Sequence, residues 1–534
     1  MKALQLLDEP SADVLAFDWL VKAVEPVSPY GERCFSELRP FRPGEESAAQ
    51  YRAERIAEIA AGSDADQCDA IRRALSELPD VVSPIARASI GDVLADPAFL
   101  ELRAFCGAIH HIDDRCAGMP RIERLSNDAV RAVRDVLATG QRGETQFHLA
   151  DSFDAQLTAE RTELGRAQAE LDALRGRERE RVARALGRDE LGGDEFIVMR
   201  AELRGALPPD VRVVREAPTY FLCALEYGEV LVAALQRRDA AADAVAATEE
   251  RVRTELSAVV QRNAEGLLAA ATALGELDVT IAAAAFTQRF GCVAAAVIVR
   301  PAMAFSQGRF LPLESELAGI GRRFTPLDLD LEGAAVLTGP NMGGKSVCLL
   351  TCGFLTLCAA FGLPVPATQA SIGLFDQIAW LGMGRETHVG GLLSSFAQEV
   401  LELKEILLRE APRLLILIDE FARTTTPHEG KALLVALLER LRERHACGML
   451  ATHLAGLAAA AGVRHFAVRG LRGIPTPPST DNIAEALSIL GASMDYRVAE
   501  VGDDDVTRAD AIALTALLGI DRQFVDAAYR ALSQ

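Results

Sequence analysis

Apolar and polar positions follow two periods along this chain, and the change between them divides it. Residues 1 to about 150 repeat apolar and charged positions at helical spacing, interrupted by VSPYGER and PFRPGEE, and predict a helical scaffold. Residues 151–186 and again 225–260 are dominated by Ala, Leu, Glu and Arg, a composition that favours long helices with charged faces. Between these arms, EFIVMRAEL and PPDVRVVREAPTYFLC predict a small β-containing insertion, so that 151–260 reads as an antiparallel helical pair with that insertion between its arms. A plain helical hairpin with solvated charges is the simpler alternative. Helices returning over 261–300 are expected to close this half.

Beyond residue 300 the period shortens. AAVLT, LLILIDE and MLATHLAGL are brief unbroken apolar runs, the pattern of central parallel strands buried on both faces. The first leads into VCLLTCGFLTLCAAFG, which reads as a buried helix. Residues 347–367 are apolar enough to resemble a membrane span, but they are broken by Gly362, Pro364 and Pro366, and no membrane partner is expected. The fold class is therefore α/β over 301–534, with a mostly parallel sheet, preceded by an all-α region.

The first strand runs directly into Gly339, Pro340, Asn341, Met342, Gly343, Gly344, Lys345 and Ser346, a Gly-x-x-x-x-Gly-Lys-Ser phosphate loop that makes the α/β region of P-loop NTPase type. Its glycines free the backbone to wrap N–H groups around phosphates, Lys345 supplies a point charge, and Ser346 offers a hydroxyl to Mg²⁺. The positive N-terminus of the next helix completes an anion site. LLILIDE ends in Asp419, expected to hold Mg²⁺ through water, and Glu420, expected to polarise the attacking water. MLATHLAGL delivers His453 to a strand end, within reach of a γ-phosphate. ATP and Mg²⁺ are the implied cofactors, and Lys345, Glu420 and His453 the catalytic candidates.

Composition narrows the class further. A 534-residue chain holds about three or four domains on a prior of roughly 100–200 residues each. The net charge of −20 gives no general attraction to nucleic acid, though it leaves room for a local basic groove. Ten scattered cysteines without paired spacing favour reduced cytosolic thiols. The N-terminus carries acids where a secretion signal needs basic residues, so a cytoplasmic protein is expected. His110-His111 and Asp113-Asp114 lack a further ligand pattern, and adjacent side chains diverge on a helix.

GPNMGGKS, with IDEFARTTTPHEG and ATH behind it, resembles the MutS ATPases. The similarity continues through Asp376-Gln377-Ile378, Gly382, Ser394, Ser395, Phe396 and Glu399, which resemble the family's signature segment. That resemblance implies a homodimer in which Ser394 and Ser395 reach the partner's nucleotide, with the C-terminal helices around Gly519 and Asp521 able to dimerise. The order agrees too: the arms with their small insertion, which resemble the family's lever and clamp, precede Lys345, and Asp419 follows it by 74 residues (419 − 345). Departures are the Ala422-Arg423-Thr424-Thr425-Thr426 stretch after the acids and Arg508-Ala509-Asp510 in place of a Ser-Tyr-Gly stretch.

Phe35-Ser36-Glu37 matches the spacing of the family's mismatch wedge, yet the first 140 residues are too short for the domain that presents it. No room for an appended nuclease is expected after IDRQFVDAAYRAL. The reading ranked first is therefore an ATP-driven remodeller of a protein client, similar to the MutS-related subunit that reactivates adenosylcobalamin-dependent lysine and ornithine aminomutases. The alternatives are a DNA-binding MutS paralogue that recognises distorted duplex without a wedge, through arginines such as Arg200, Arg204, Arg212 and Arg215, and a non-hydrolysing nucleotide-gated scaffold.

Overall fold

The computed structural model describes every residue except 2–5, 140–146, 148, 204, 341–343, 383–394, 423–424, 472–492, 503–511, 513–514, 516–519 and 533–534. The chain divides into two units. Met1–Glu77, Ile112–Arg124 and Thr272–Gln534 form one; Leu78–His111 and Leu125–Ala271 form the other, so the first 150 residues contribute to both.

The first unit begins with helices α1 (Glu9–Val14), α2 (Phe17–Ala23), α3 (Pro29–Glu37), α4 (Glu46–Gly62) and α5 (Ala65–Ser76). Helix α3 starts where local chemistry dictates: Ser28 accepts from the Gly31 N–H at 3.0 Å, and Pro29 occupies the first turn, where no N–H is needed. Phe35 on this helix is buried, packed into the core rather than presented as a wedge.

The second unit holds α6 (Val82–Ser89), most of α7 (Asp96–Cys116), α8 (Asp128–Ala138), the long α9 (Ala155–Ala185), a three-stranded antiparallel sheet and the first part of α10 (Glu229–Phe290). The sheet comprises β1 (Glu195–Met199), β2 (Val211–Glu216) and β3 (Tyr220–Leu225), in the order β1-β3-β2. Arg161 meets Glu249 at 2.8 Å and Arg237 meets Glu170 at 2.9 Å; the numbers run in opposite senses, so α9 and α10 are antiparallel here. One sheet face, carrying Phe196, Val198 and Cys223, packs on Val182 and Ala183 of α9. Arg179 and Tyr227 both donate to Asp194, at 2.6 and 2.5 Å, stitching helix ends to the start of β1.

Helix α10 is one element of 62 residues, about 93 Å at 1.5 Å per residue. It passes uninterrupted through position 260, where the composition divides arm from returning helices, because no proline lies within it. Its glycines serve close approach: a β-carbon on Gly275 would lie 2.7 Å from the Tyr30 carbonyl oxygen. By length and composition α10 matches a membrane span, but 72% of its apolar window is buried in protein, so packing accounts for that character. Three residues past Gly275, fully buried Asp278 accepts from Val27 N–H at 3.0 Å, Ser28 N–H at 2.7 Å and Ser28 Oγ–H at 2.6 Å. Burial pushes this carboxyl up from its ordinary range, against the pull of those donors.

The rest of the first unit is α/β. A mixed four-stranded sheet, ordered β4-β8-β5-β6, joins β4 (Ala296–Ile298), β5 (Ala302–Gly308), β6 (Leu327–Glu332) and β8 (Gln369–Gly373). A six-stranded sheet has the order β13-β12-β7-β11-β10-β9, with β7 (Ala334–Thr338), β9 (Gln377–Gly382), β10 (Leu414–Asp419), β11 (Cys447–Ala451), β12 (Arg464–Leu471) and β13 (Met494–Glu500). Five of its strands are parallel; β13 is antiparallel at one edge. Ile416 and Ile418 of β10 face a cluster from α13 (Ser395–Leu408), α14 (Pro427–Glu443) and α15 (Leu457–Ala461), following α11 (Leu311–Gly319) and α12 (Lys345–Ala360) in the chain. On the other face Leu417 packs at Gly353 of α12. Helices on both faces are why LLILIDE carries no polar alternation.

Candidate nucleotide site

All five residues of β7 are buried, between β11 and β12. The strand ends at Thr338, whose hydroxyl pairs with His465 Nε2 at 2.8 Å, fixing the strand end just before the loop turns. Gly339 and Gly344 adopt φ of +147° and +92°, conformations that side chains disfavour, and α12 starts at Lys345. Asn341, Met342 and Gly343 lie outside the described residues.

Lys345 is 5% exposed. Its Nζ donates to the Gly339 and Pro340 carbonyls at 3.1 and 3.2 Å, and lies 3.7 Å from Glu420 Oε1. Burial lowers its pKa from the ordinary lysine value, opposed by the Glu420 and Asp419 carboxylates. The ammonium is thus folded back on its own loop, held by acceptors that a phosphate oxygen can replace.

Parallel pairing brings the second half of the site alongside. Asp419 is in register with Ala451 of β11 and Gly382 of β9, so the acids emerge at the sheet edge where β7 delivers its loop. Gly382 is required there, since a β-carbon would lie 2.5 Å from the Asp419 carbonyl oxygen. Ser346 Oγ donates to Asp419 Oδ2 at 2.7 Å, although the two are 73 residues apart. A hydroxyl and a carboxylate converging in this way form a hard oxygen donor set that fits Mg²⁺.

Glu420 and Ala422 are non-glycine residues with φ of +57° and +61°. Each left-handed residue costs roughly 1–2 kcal/mol, so the surrounding contacts must hold the turn. The helix that follows is well started: Thr426 Oγ accepts from the Glu429 N–H at 3.4 Å while its own hydroxyl donates to the Glu429 carboxylate at 2.8 Å, and Pro427 lies in the first turn.

His453 is exposed, two residues past the end of β11 and at the same sheet edge. Ser394 lies outside the described residues; Ser395 opens α13. One neighbour is absent from the sequence reading: Tyr496 of β13 lies against the loop, its Cδ1 3.1 Å from where a Gly344 β-carbon would stand. The strand reading of MDYRVAE would have been the signal, but only the sheet order brings it to the loop.

Residues 335–469, which include Lys345, Asp419, Glu420 and His453, match the MutS domain V family. The chain is similar to proteins named endonuclease MutS2. That of Pelotomaculum thermopropionicum is 36% identical over 205 residues, covering 38% of this chain and 26% of the relative. That of Clostridium botulinum strain Loch Maree is 29% identical over 280 residues, covering 48% and 34%. That of Carboxydothermus hydrogenoformans is 36% identical over 190 residues, covering 35% and 23%. The match thus spans about a quarter to a third of these relatives' own length. Together the domain and the relatives support a MutS-family protein.

Proposed function

We propose that this chain is a MutS-type ATPase that couples hydrolysis of ATP to ADP and phosphate to the handling of distorted duplex DNA. The observation that carries the ATPase reading is the convergence of Lys345, Ser346, Asp419 and Glu420 at one sheet edge. Lys345 exchanges its loop carbonyls for phosphate oxygens, the loop's N–H groups hold the remaining charge, and Glu420 orients and polarises the attacking water. Ser346 and Asp419 are the residues that would hold Mg²⁺, which supplies charge neutralisation on the phosphates when bound. His453 contacts the γ-phosphate side of the site. The whole operates in a cytoplasmic, reducing setting, consistent with ten free cysteines.

The output is closure and opening of a homodimer, with Ser394 and Ser395 addressing the partner's nucleotide. Helix Arg522–Leu532 suits a dimer surface: Asp521 caps it through the Phe524 N–H at 2.9 Å, while Phe524 and Leu532 are 58% and 63% exposed. Sedimentation with and without ATP tests this, and a monomer under all conditions would exclude the cross-subunit site.

DNA takes precedence over the protein client because the relatives are named endonucleases, and no comparison supports an aminomutase reactivase. On the three-stranded sheet, Arg212 and Arg215 are exposed and, among the described residues, free of ion pairs, as phosphate contacts require. A protein client is the second reading, favoured by the net charge of −20 and by the pairing of Arg181, Arg188 and Arg200 with Asp210, Glu202 and Glu216. ATP turnover measured with branched duplex and, separately, with an inactivated cobalamin-dependent aminomutase separates them. Stimulation by duplex, weakening as salt rises, is expected; stimulation by the aminomutase alone would reverse the order.

A further inference from the structure

The turn that follows β10 presents a problem of its own. Glu420 and Ala422 are both left-handed without being glycine, with Phe421 between them. Such a turn relaxes unless something outside it holds the backbone. Glu420 N–H donates to the Ala451 carbonyl at 3.1 Å, which anchors the near end to β11. The far end is held from a different element: Ala422 N–H donates to Glu399 Oε2 of α13 at 2.9 Å. One turn earlier on that helix, Phe396 packs on Phe421 with ring centroids 6.4 Å apart and planes at 43°. Residues three apart share a helix face, so α13 grips the turn with a ring and a carboxylate side by side. Phe421 and Ala422 are each only 6% exposed, which removes water as a competing partner for that N–H.

From this geometry we infer that Glu399 is a positioning residue for ATP hydrolysis: by capturing the Ala422 N–H, its carboxylate holds Glu420 in the left-handed conformation from which it addresses the attacking water. Glu399 acts through the backbone of the turn. The inference rests on the ATPase reading above. It differs from the role of Lys345, which acts on phosphate in the ground state; loss of Glu399 leaves nucleotide binding intact and slows the chemical step. A glutamine at 399 keeps an oxygen that accepts from the same N–H, whereas alanine or methionine keeps none.

The experiment compares wild type, Glu399→Ala, Glu399→Gln and Lys345→Ala in the full chain, by ATP turnover, nucleotide affinity and amide hydrogen exchange of the peptide containing Ala422. Glu399→Ala is expected to lower kcat about ten- to a hundredfold, with ATP affinity within about twofold of wild type, so that kcat and KM separate. Glu399→Gln is expected to recover most of the loss. Exchange of the Ala422 peptide should quicken in Glu399→Ala and return toward wild type in Glu399→Gln. Should the alanine variant not fold, Glu399→Met matches the length without the acceptor and takes its place.

Unchanged kcat in a folded variant lacking the acceptor overturns the inference. So do equal losses in the alanine and glutamine variants, or unchanged exchange at the Ala422 peptide. Absence of turnover in wild type and Lys345→Ala alike would defeat the ATPase reading instead, and the exchange measurement still decides whether Glu399 holds the turn.

Discussion

Strands β10 and β2 show how differently one chain can use a strand. All six residues of β10 are buried, with helices on both faces and parallel neighbours on both edges. Five of the six residues of β2 are exposed, and only Val211 reaches the core of its small sheet. In the first case packing fixes where the strand ends, and that end delivers Asp419 and Glu420 to the phosphate loop. In the second, the outward residues are set by solvent, leaving Arg212 and Arg215 available to a partner. A two-faced environment positions chemistry; a one-faced environment presents it.

Substitutions can break or sharpen that contrast, and tryptophan fluorescence reads one unit selectively, because Trp19 and Trp380 both belong to the unit containing the six-stranded sheet. The largest loss of stability is expected from Asp278→Ala, which strands the donors of Val27 and Ser28 in the core; about 3–5 kcal/mol should appear as a lowered denaturation midpoint. Next comes Gly448→Ala on β11. The added β-carbon would stand 2.6 Å from Ile416 Cγ2 and 2.8 Å from the Ile416 carbonyl oxygen, so about 1–3 kcal/mol of overpacking is expected in the same measurement.

On the three-stranded sheet the effects should shrink. Arg200→Ala removes an exposed pairing with Glu216 and a stacking over Phe221, for less than about 1 kcal/mol in thermal unfolding followed by circular dichroism. The double variant Arg212→Ala/Arg215→Ala should move stability by under about 0.5 kcal/mol while weakening duplex binding and flattening its salt dependence. A stability loss comparable to that of Gly448→Ala would show that β2 is packed and not presented.

The same contrast explains what was legible in the sequence. LLILIDE and AAVLT announce themselves because burial on both faces leaves no polar position, and GPNMGGKS because a phosphate loop tolerates few alternatives. The paired arms were readable from composition, and Arg161–Glu249 and Arg237–Glu170 show their antiparallel sense. The four-stranded sheet went unread even though LDLDLE in β6 alternates strictly, since a single short alternation does not say what it pairs with. Tyr496 stayed hidden for the same reason: its contact with Gly344 depends on β13 pairing with β12 and β12 with β7, which no local pattern encodes. Glu399 was visible as part of a resemblance, but its tie to Ala422, 23 residues on, was not. Phe35 shows the converse, a three-residue match whose ring is committed to the core.

The central claim, that Lys345 binds phosphate while Glu420 acts on water, is tested most directly by measuring ATP binding and phosphate release in Lys345→Ala and Glu420→Gln beside wild type. Lys345→Ala is expected to lose nucleotide affinity together with turnover, whereas Glu420→Gln should bind ATP as wild type does and release phosphate at least about a hundredfold more slowly. Near-normal phosphate release in both variants would contradict the assignment of this site.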